Sequence, residues 1–84
     1  MKTYYEIILD DNGFTDTIET FDDFKGAYMY LKDCLTSWIE HYKYSIGGKF
    51  SVEWSDDKKG FTITETDVLG DTWDYSVFIN IYTE

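Results

Sequence analysis

The sequence predicts an α+β fold in the order ββαβββ: an antiparallel sheet of about five strands with one long amphipathic helix on one face. Three observations carry this expectation. Apolar residues recur every three or four positions at Phe21, Phe24, Tyr28, Leu31, Leu35, Trp38 and Tyr42, the single stripe of a helix about six turns long. Segments 49–55 and 73–81 alternate apolar with polar residues, as strands with one buried face do. An Asn12-Gly13 step separates two β-favouring runs, a strong short-range hairpin signal.

Strand 1 is expected over Thr3 to Asp10, where Tyr4, Tyr5, Ile7, Ile8 and Leu9 favour an extended chain. Strand 2, Phe14 to Glu19, mixes Thr and Ile with two acids and suits a sheet edge, where charge discourages edge-to-edge association. Thr20-Phe21-Asp22-Asp23 resembles a capping box, with Thr20 as N-cap and two acids complementing the positive end of the helix dipole. The helix ends near Tyr44, and Gly47-Gly48 supplies the stop. Lys49 to Ser55 places Phe50, Val52 and Trp54 on one face; Asp56 to Gly60 turns the chain, and Phe61 to Thr66 returns. The last strand puts Trp73, Tyr75, Val77, Ile79 and Ile81 on one face. A meander of strands 3, 4 and 5, joined by the first hairpin, is the economical packing, with strand order left open.

No linker, repeat or low-complexity tract interrupts residues 1–84, which are expected to form a single α+β domain. Cys34 is the only cysteine, so no disulfide staples the chain, and a small secreted domain usually depends on several. Met1-Lys2 leads straight into Tyr4-Tyr5-Glu6-Ile7 without the apolar run of a signal peptide. A cytoplasmic protein is the expectation.

All seven bases are lysines, against 17 acids, for a formal net charge of −10. Such a charge repels nucleic acid and anionic membranes, so neither is an expected partner. The missing Arg and Pro beside abundant Tyr, Lys, Ile and Asp suggest the codon usage of an AT-rich bacterial or phage genome.

Sites for chemistry are scarce. His41 is the only histidine, seven residues after Cys34, and about 10 Å of helical rise between them leaves no Cys/His dyad within one chain. Cys34 is expected to be a small apolar filler beside the core stripe, and His41 a solvated helix residue. The oxygen-rich loops Asp10-Asp11-Asn12-Gly13 and Asp67 to Asp71 miss the ligand spacing of a calcium loop, so they read as turns and no metal is expected. A glycosidase carboxylate pair needs a cleft that raises one pKa, for which a chain this short has little room. Gly47-Gly48 follows a helix where a phosphate cradle precedes one. The expectation is a non-enzymatic protein without cofactor.

The acids are the most informative feature. Residues 3–24 hold seven and residues 60–84 hold five, and neither segment contains a base. On a sheet, carboxylates stand about 7 Å apart along a strand and about 5 Å apart across strands, spacings comparable to a phosphate array. Asp10, Asp11, Asp16, Glu19, Asp67, Asp71 and Asp74 are therefore the candidate partner-binding residues of a DNA-mimic surface, aimed at a protein with a basic surface such as a nuclease or other nucleic-acid-binding enzyme. The plainer reading is a solvated surface that keeps the chain soluble. Tyr4, Tyr30, Tyr44, Phe78 and Tyr82 fall off the main stripes; they suit a second cluster on the far side of the sheet or the contact of a homodimer, ahead of a hot spot for a foreign partner. In size, acidity and lack of catalytic residues the chain is similar to the small phage-encoded proteins that block host restriction or CRISPR nucleases. That resemblance, of general character and tied to no motif, implies an anti-CRISPR or other anti-defence inhibitor acting in the host cytoplasm. The alternative is a structural module that dimerises through exposed aromatic residues.

Overall fold

The structure, a computed structural model, describes residues 1–42 and 49–84. Its elements are β1 (Thr3–Asp11), β2 (Phe14–Phe21), α1 (Phe24–Tyr42), β3 (Lys49–Trp54), β4 (Gly60–Thr66) and β5 (Thr72–Thr83). All pairings are antiparallel, in the order β2-β1-β5-β4-β3. This is the predicted α+β class, and the strand order left open by the sequence is resolved: the first hairpin docks β1 against β5. The expected helix end near Tyr44, Tyr44 itself and the Gly47-Gly48 stop lie outside the described residues, as does the side chain of Tyr42.

The Asn12-Gly13 step makes the hairpin it predicts. Both residues have positive φ, 53° and 97°, the two-residue turn whose twist matches that of the strands. Within β2, Ile7 pairs with Glu19 but Ile8 with Thr17, so Ile18 is the extra residue of a β-bulge. That bulge and the acids Asp16 and Glu19 blunt an exposed edge strand.

The helix begins later than the Thr20 capping box implies. β2 continues to Phe21, which pairs with Tyr5, and Asp23 caps the helix: its Oδ1 accepts the Gly26 N–H at 2.6 Å. Thr20 opposes Glu6 in the sheet instead. A Cβ at position 26 would stand 2.9 Å from that same Oδ1, so glycine there leaves room for the cap. Two cap-like residues three apart satisfy the same local pattern, and the tertiary pairing of Phe21 decides between them.

The core is one layer between helix and sheet: Ile7, Ala27, Leu31, Phe61, Ile63, Val77 and Ile79. Each large aliphatic buried there contributes roughly 1.5–3 kcal/mol. Ala27 is fully buried within this layer. Aromatic rings seal the margins. Tyr5, Phe24, Tyr28, Trp54 and Phe61 follow one another with centroids 5.3–6.3 Å apart, while Trp38 meets Phe50 and Tyr75 and Tyr30 meets Phe21.

Asp23→Ala is expected to cost about 1 kcal/mol of stability through loss of the cap, and Thr20→Ala less than about 0.5 kcal/mol. Urea denaturation followed by circular dichroism measures both; the reverse ranking would return the cap to Thr20.

Candidate functional site

Side chains alternate across each strand, so the residues between the core positions face away from the helix. Register then assembles polar rows across the sheet. One row crosses all five strands as Thr15, Asp10, Ser76, Thr62 and Glu53, with the Thr62 and Ser76 hydroxyls hydrogen-bonded at 2.8 Å. The next row carries Thr17, Ile8, Phe78 and Gly60. A Cβ at Gly60 would lie 2.5 Å from Phe78 Cβ and 2.9 Å from the Val77 carbonyl oxygen, so only glycine permits this approach of β4 to β5. Beside them lies a recess of about 560 Å³ lined from Asp10, Ser76, Thr62 and Glu53 of the first row, Phe78 and Gly60 of the second, and the Ser55–Lys59 turn.

That turn is built by Asp57, whose Oδ1 accepts from Ser55 Oγ at 2.6 Å and from the Lys59 N–H at 2.9 Å. The bond from Ser55, then that from Lys59, holds the Asp57 carboxyl below its ordinary range. Its contribution to turn order is present above the unfolded-state pKa and is lost as pH falls through the depressed one.

The candidate acids divide by position. Asp10 and Asp11 end β1, Asp67 and Asp71 lie in the β4–β5 loop, and Asp74 follows the start of β5, so these five gather at one end of the sheet. Asp10 and Asp74 share the uncovered face, since Asp10 opposes Ser76 two residues along from Asp74. Asp16 and Glu19 lie apart on edge strand β2, opposite Leu9 and Ile7. Three of the seven also accept backbone N–H groups: Asp10 Oδ1 that of Gly13 and Asp67 Oδ1 those of Leu69 and Asp71, the local turns such residues favour, and Glu19 Oε1 that of Thr20. The larger finding is topological. The four neighbouring strands β2, β1, β5 and β4 contain Glu6, Asp10, Asp11, Asp16, Glu19, Glu65 and Asp74 and no base. Two acidic segments far apart in the chain thus come onto four adjacent strands, Glu6, Asp10 and Asp74 on the uncovered face and Asp11, Asp16, Glu19 and Glu65 on the other.

Of the off-stripe aromatics, Tyr4 and Tyr82 stack on the uncovered face with centroids 6.1 Å apart, and Phe78 lines the recess. Exposed apolar side chains collect at the acidic end: Phe14, Val68, Leu69 and Trp73. The sequence carried no signal for the recess, because it needs the β4–β5 register. Among its lining residues the sequence marked only Asp10 as a candidate partner-binding acid.

Cys34 is partly buried; burial first, then the Asp33 charge, raises its thiol pKa, and a hydrogen bond with Tyr30 only partly offsets this. Burial likewise pushes up Tyr30. His41 is exposed in the last helical turn. Among the described residues no three of His, Cys, Asp and Glu converge to hold a metal ion, and no helix is long and apolar enough to cross a membrane. Compared with protein-family models, curated proteins and solved structures, the chain matches none.

A raised thiol pKa means less thiolate at pH 8, and the thiolate is the reactive form. Cys34 is expected to react with Ellman's reagent more slowly than free cysteine under native conditions and at the ordinary rate in urea. Equal rates in both would show an open, activated thiol.

Proposed function

We propose that the chain is a non-enzymatic acidic binding protein that occupies the basic surface of a nucleic-acid-binding enzyme, as an inhibitor or regulator of the anti-defence kind. The observation that carries this is the base-free flank of four adjacent strands, β2-β1-β5-β4. Coulombic attraction between such a flank and a lysine- and arginine-rich groove steers encounter and suppresses wrong partners. The end bearing Asp10, Asp11, Asp67, Asp71 and Asp74 adds Phe14, Val68, Leu69 and Trp73, all exposed, as apolar anchors within a charged rim. Val68 and Leu69 are presented by a loop that Asp67 holds in shape, which lowers the entropy lost on docking. Asp16 and Glu19 extend the acidic surface along the β2 edge.

The same exposed apolar residues favour a second reading, in which they join two copies of the chain and the acids only maintain solubility. That reading predicts a mass that rises with concentration in sedimentation equilibrium.

Immobilised chain is expected to retain nucleic-acid-binding proteins from bacterial lysate at low salt and to release them to added salt or to duplex DNA. Reversal of Asp11, Asp16, Glu19 and Asp71 to lysine should weaken capture more than about tenfold, since close charge pairs at an interface are each worth on the order of 1.5 kcal/mol or more. Capture unchanged by salt and by the reversals would contradict the proposal, as would failure to retain any basic protein.

A further inference from the structure

The recess on the uncovered face has a composition that selects one kind of guest. Phe78 and Gly60, register partners on β5 and β4, line it together with the hydrogen-bonded hydroxyls of Thr62 and Ser76. Asp10 and Glu53 flank it in one cross-sheet row, and the turn carrying Asp56 and Asp57 closes one end. Among the described residues the lining holds four acids, Asp10, Glu53, Asp56 and Asp57, against one base, Lys59, so the recess is negative. With strands about 4.8 Å apart, the backbones of Asp10 and Glu53 stand about 14 Å apart. Their carboxylates therefore ring the opening; they are not paired over a single bond.

An anion or a purely apolar group is disfavoured in such surroundings. A compact ammonium satisfies the carboxylates but makes little use of the ring. A guanidinium matches all three elements: its plane stacks on an aromatic face, and its five N–H donors suit a set of carboxylate and hydroxyl acceptors.

We propose that this recess receives an arginine side chain from an exposed basic segment of a protein partner, with the guanidinium against Phe78, its N–H groups donating to Glu53 and the Thr62–Ser76 hydroxyls, and Asp10 adding negative charge at the opposite rim. This rests on the docking to a basic protein proposed above and deepens it, by giving a diffuse electrostatic attraction one specific anchor.

The test is a titration of the full, ¹⁵N-labelled chain with the blocked peptide Gly-Gly-Arg-Gly-Gly and with its lysine and citrulline counterparts. The arginine peptide is expected to give saturable shifts at the amides of Glu53, Gly60, Thr62, Ser76 and Phe78. Citrulline, nearly the same shape without the charge, should bind at least about tenfold more weakly, the loss expected when charge-assisted hydrogen bonds become neutral ones. Exposed Glu53→Gln should weaken the arginine peptide about tenfold, and Phe78→Leu should remove its preference over lysine; Asp16→Asn, outside the recess, should change neither. Equal binding of arginine and lysine by the native chain, equal binding of arginine and citrulline, or shifts spread along the acidic strands without saturation at the recess would overturn the proposal. The reversals used in the capture experiment lie outside the recess lining, so the two results separate. Peptide binding without capture would sink the docking reading alone, and capture without peptide binding would sink the arginine site alone.

Discussion

The ladder between β1 and β5 is the interaction on which the rest of the molecule depends. It runs from Thr3 opposite Thr83 to Asp11 opposite Tyr75, joining residues near the two ends of the chain at the centre of the sheet. Without it the β1–β2 hairpin would be a two-stranded ribbon, which is marginal in water. With it, Ile7 lies against Ile79 beneath the helix, and the sheet gains a width that one helix can cover. Closing so long a loop costs entropy before the contacts repay it, so formation of this ladder and burial of the core are coupled in one step.

The same ladder creates the acidic flank, and the register makes that flank tolerable. Like charges directly opposite one another destabilise a sheet, yet no acid opposes another acid in any of the four ladders. Glu6 stands between Thr20 and Asn80, Asp10 between Thr15 and Ser76, and Asp11 between Phe14 and Tyr75. Glu53 opposes Thr62, Asp74 opposes Thr64, and Glu65 lies between Phe50 and Trp73. Asn80 goes further and donates to the Glu6 carboxylate at 3.0 Å. The strand acids of a chain with formal charge −10 thus face polar neighbours (Glu6, Asp10, Glu53, Asp74) or apolar ones (Asp11, Asp16, Glu19, Glu65), and never another acid. The chain keeps a high negative potential on these strands without placing carboxylates in direct opposition. That distribution is what a charge-driven binding surface requires, and a recess with directed hydrogen-bond acceptors adds geometry to it.

Periodicity made most of this architecture legible. The helical stripe from Phe24 to Trp38, the alternation in β3 and β5 and the Asn12-Gly13 turn are local signals, and each element formed where they point. Three features were not legible because they are tertiary. The helix start shifts from Thr20 to Asp23 because Phe21 is held in the sheet by Tyr5. Ala27 carries no apolar emphasis in a sequence pattern, yet it is fully buried in the layer between helix and sheet. The recess is lined by residues of four strands and a turn that only the register brings together. Among the acids, the sequence located the charge correctly along the chain but could not distinguish Asp10 and Asp67, which shape turns, from Asp11 and Asp71. Local turn bonds of the Asx kind separate the two classes only once the loop geometry is known.

The central claim is that strand order brings two distant acidic segments together on the adjacent strands β2, β1, β5 and β4 and the loop beside them. Amide-proton relaxation enhancement by cationic and anionic nitroxide cosolutes, compared residue by residue, reads the near-surface potential directly. The account predicts the largest cationic excess over β2, β1, β5 and the Asp67–Asp71 loop, and the smallest around Lys25 and Lys32 of the helix and Lys58 of the β3–β4 turn. An even excess over the whole surface, or a maximum on the helix, would contradict it.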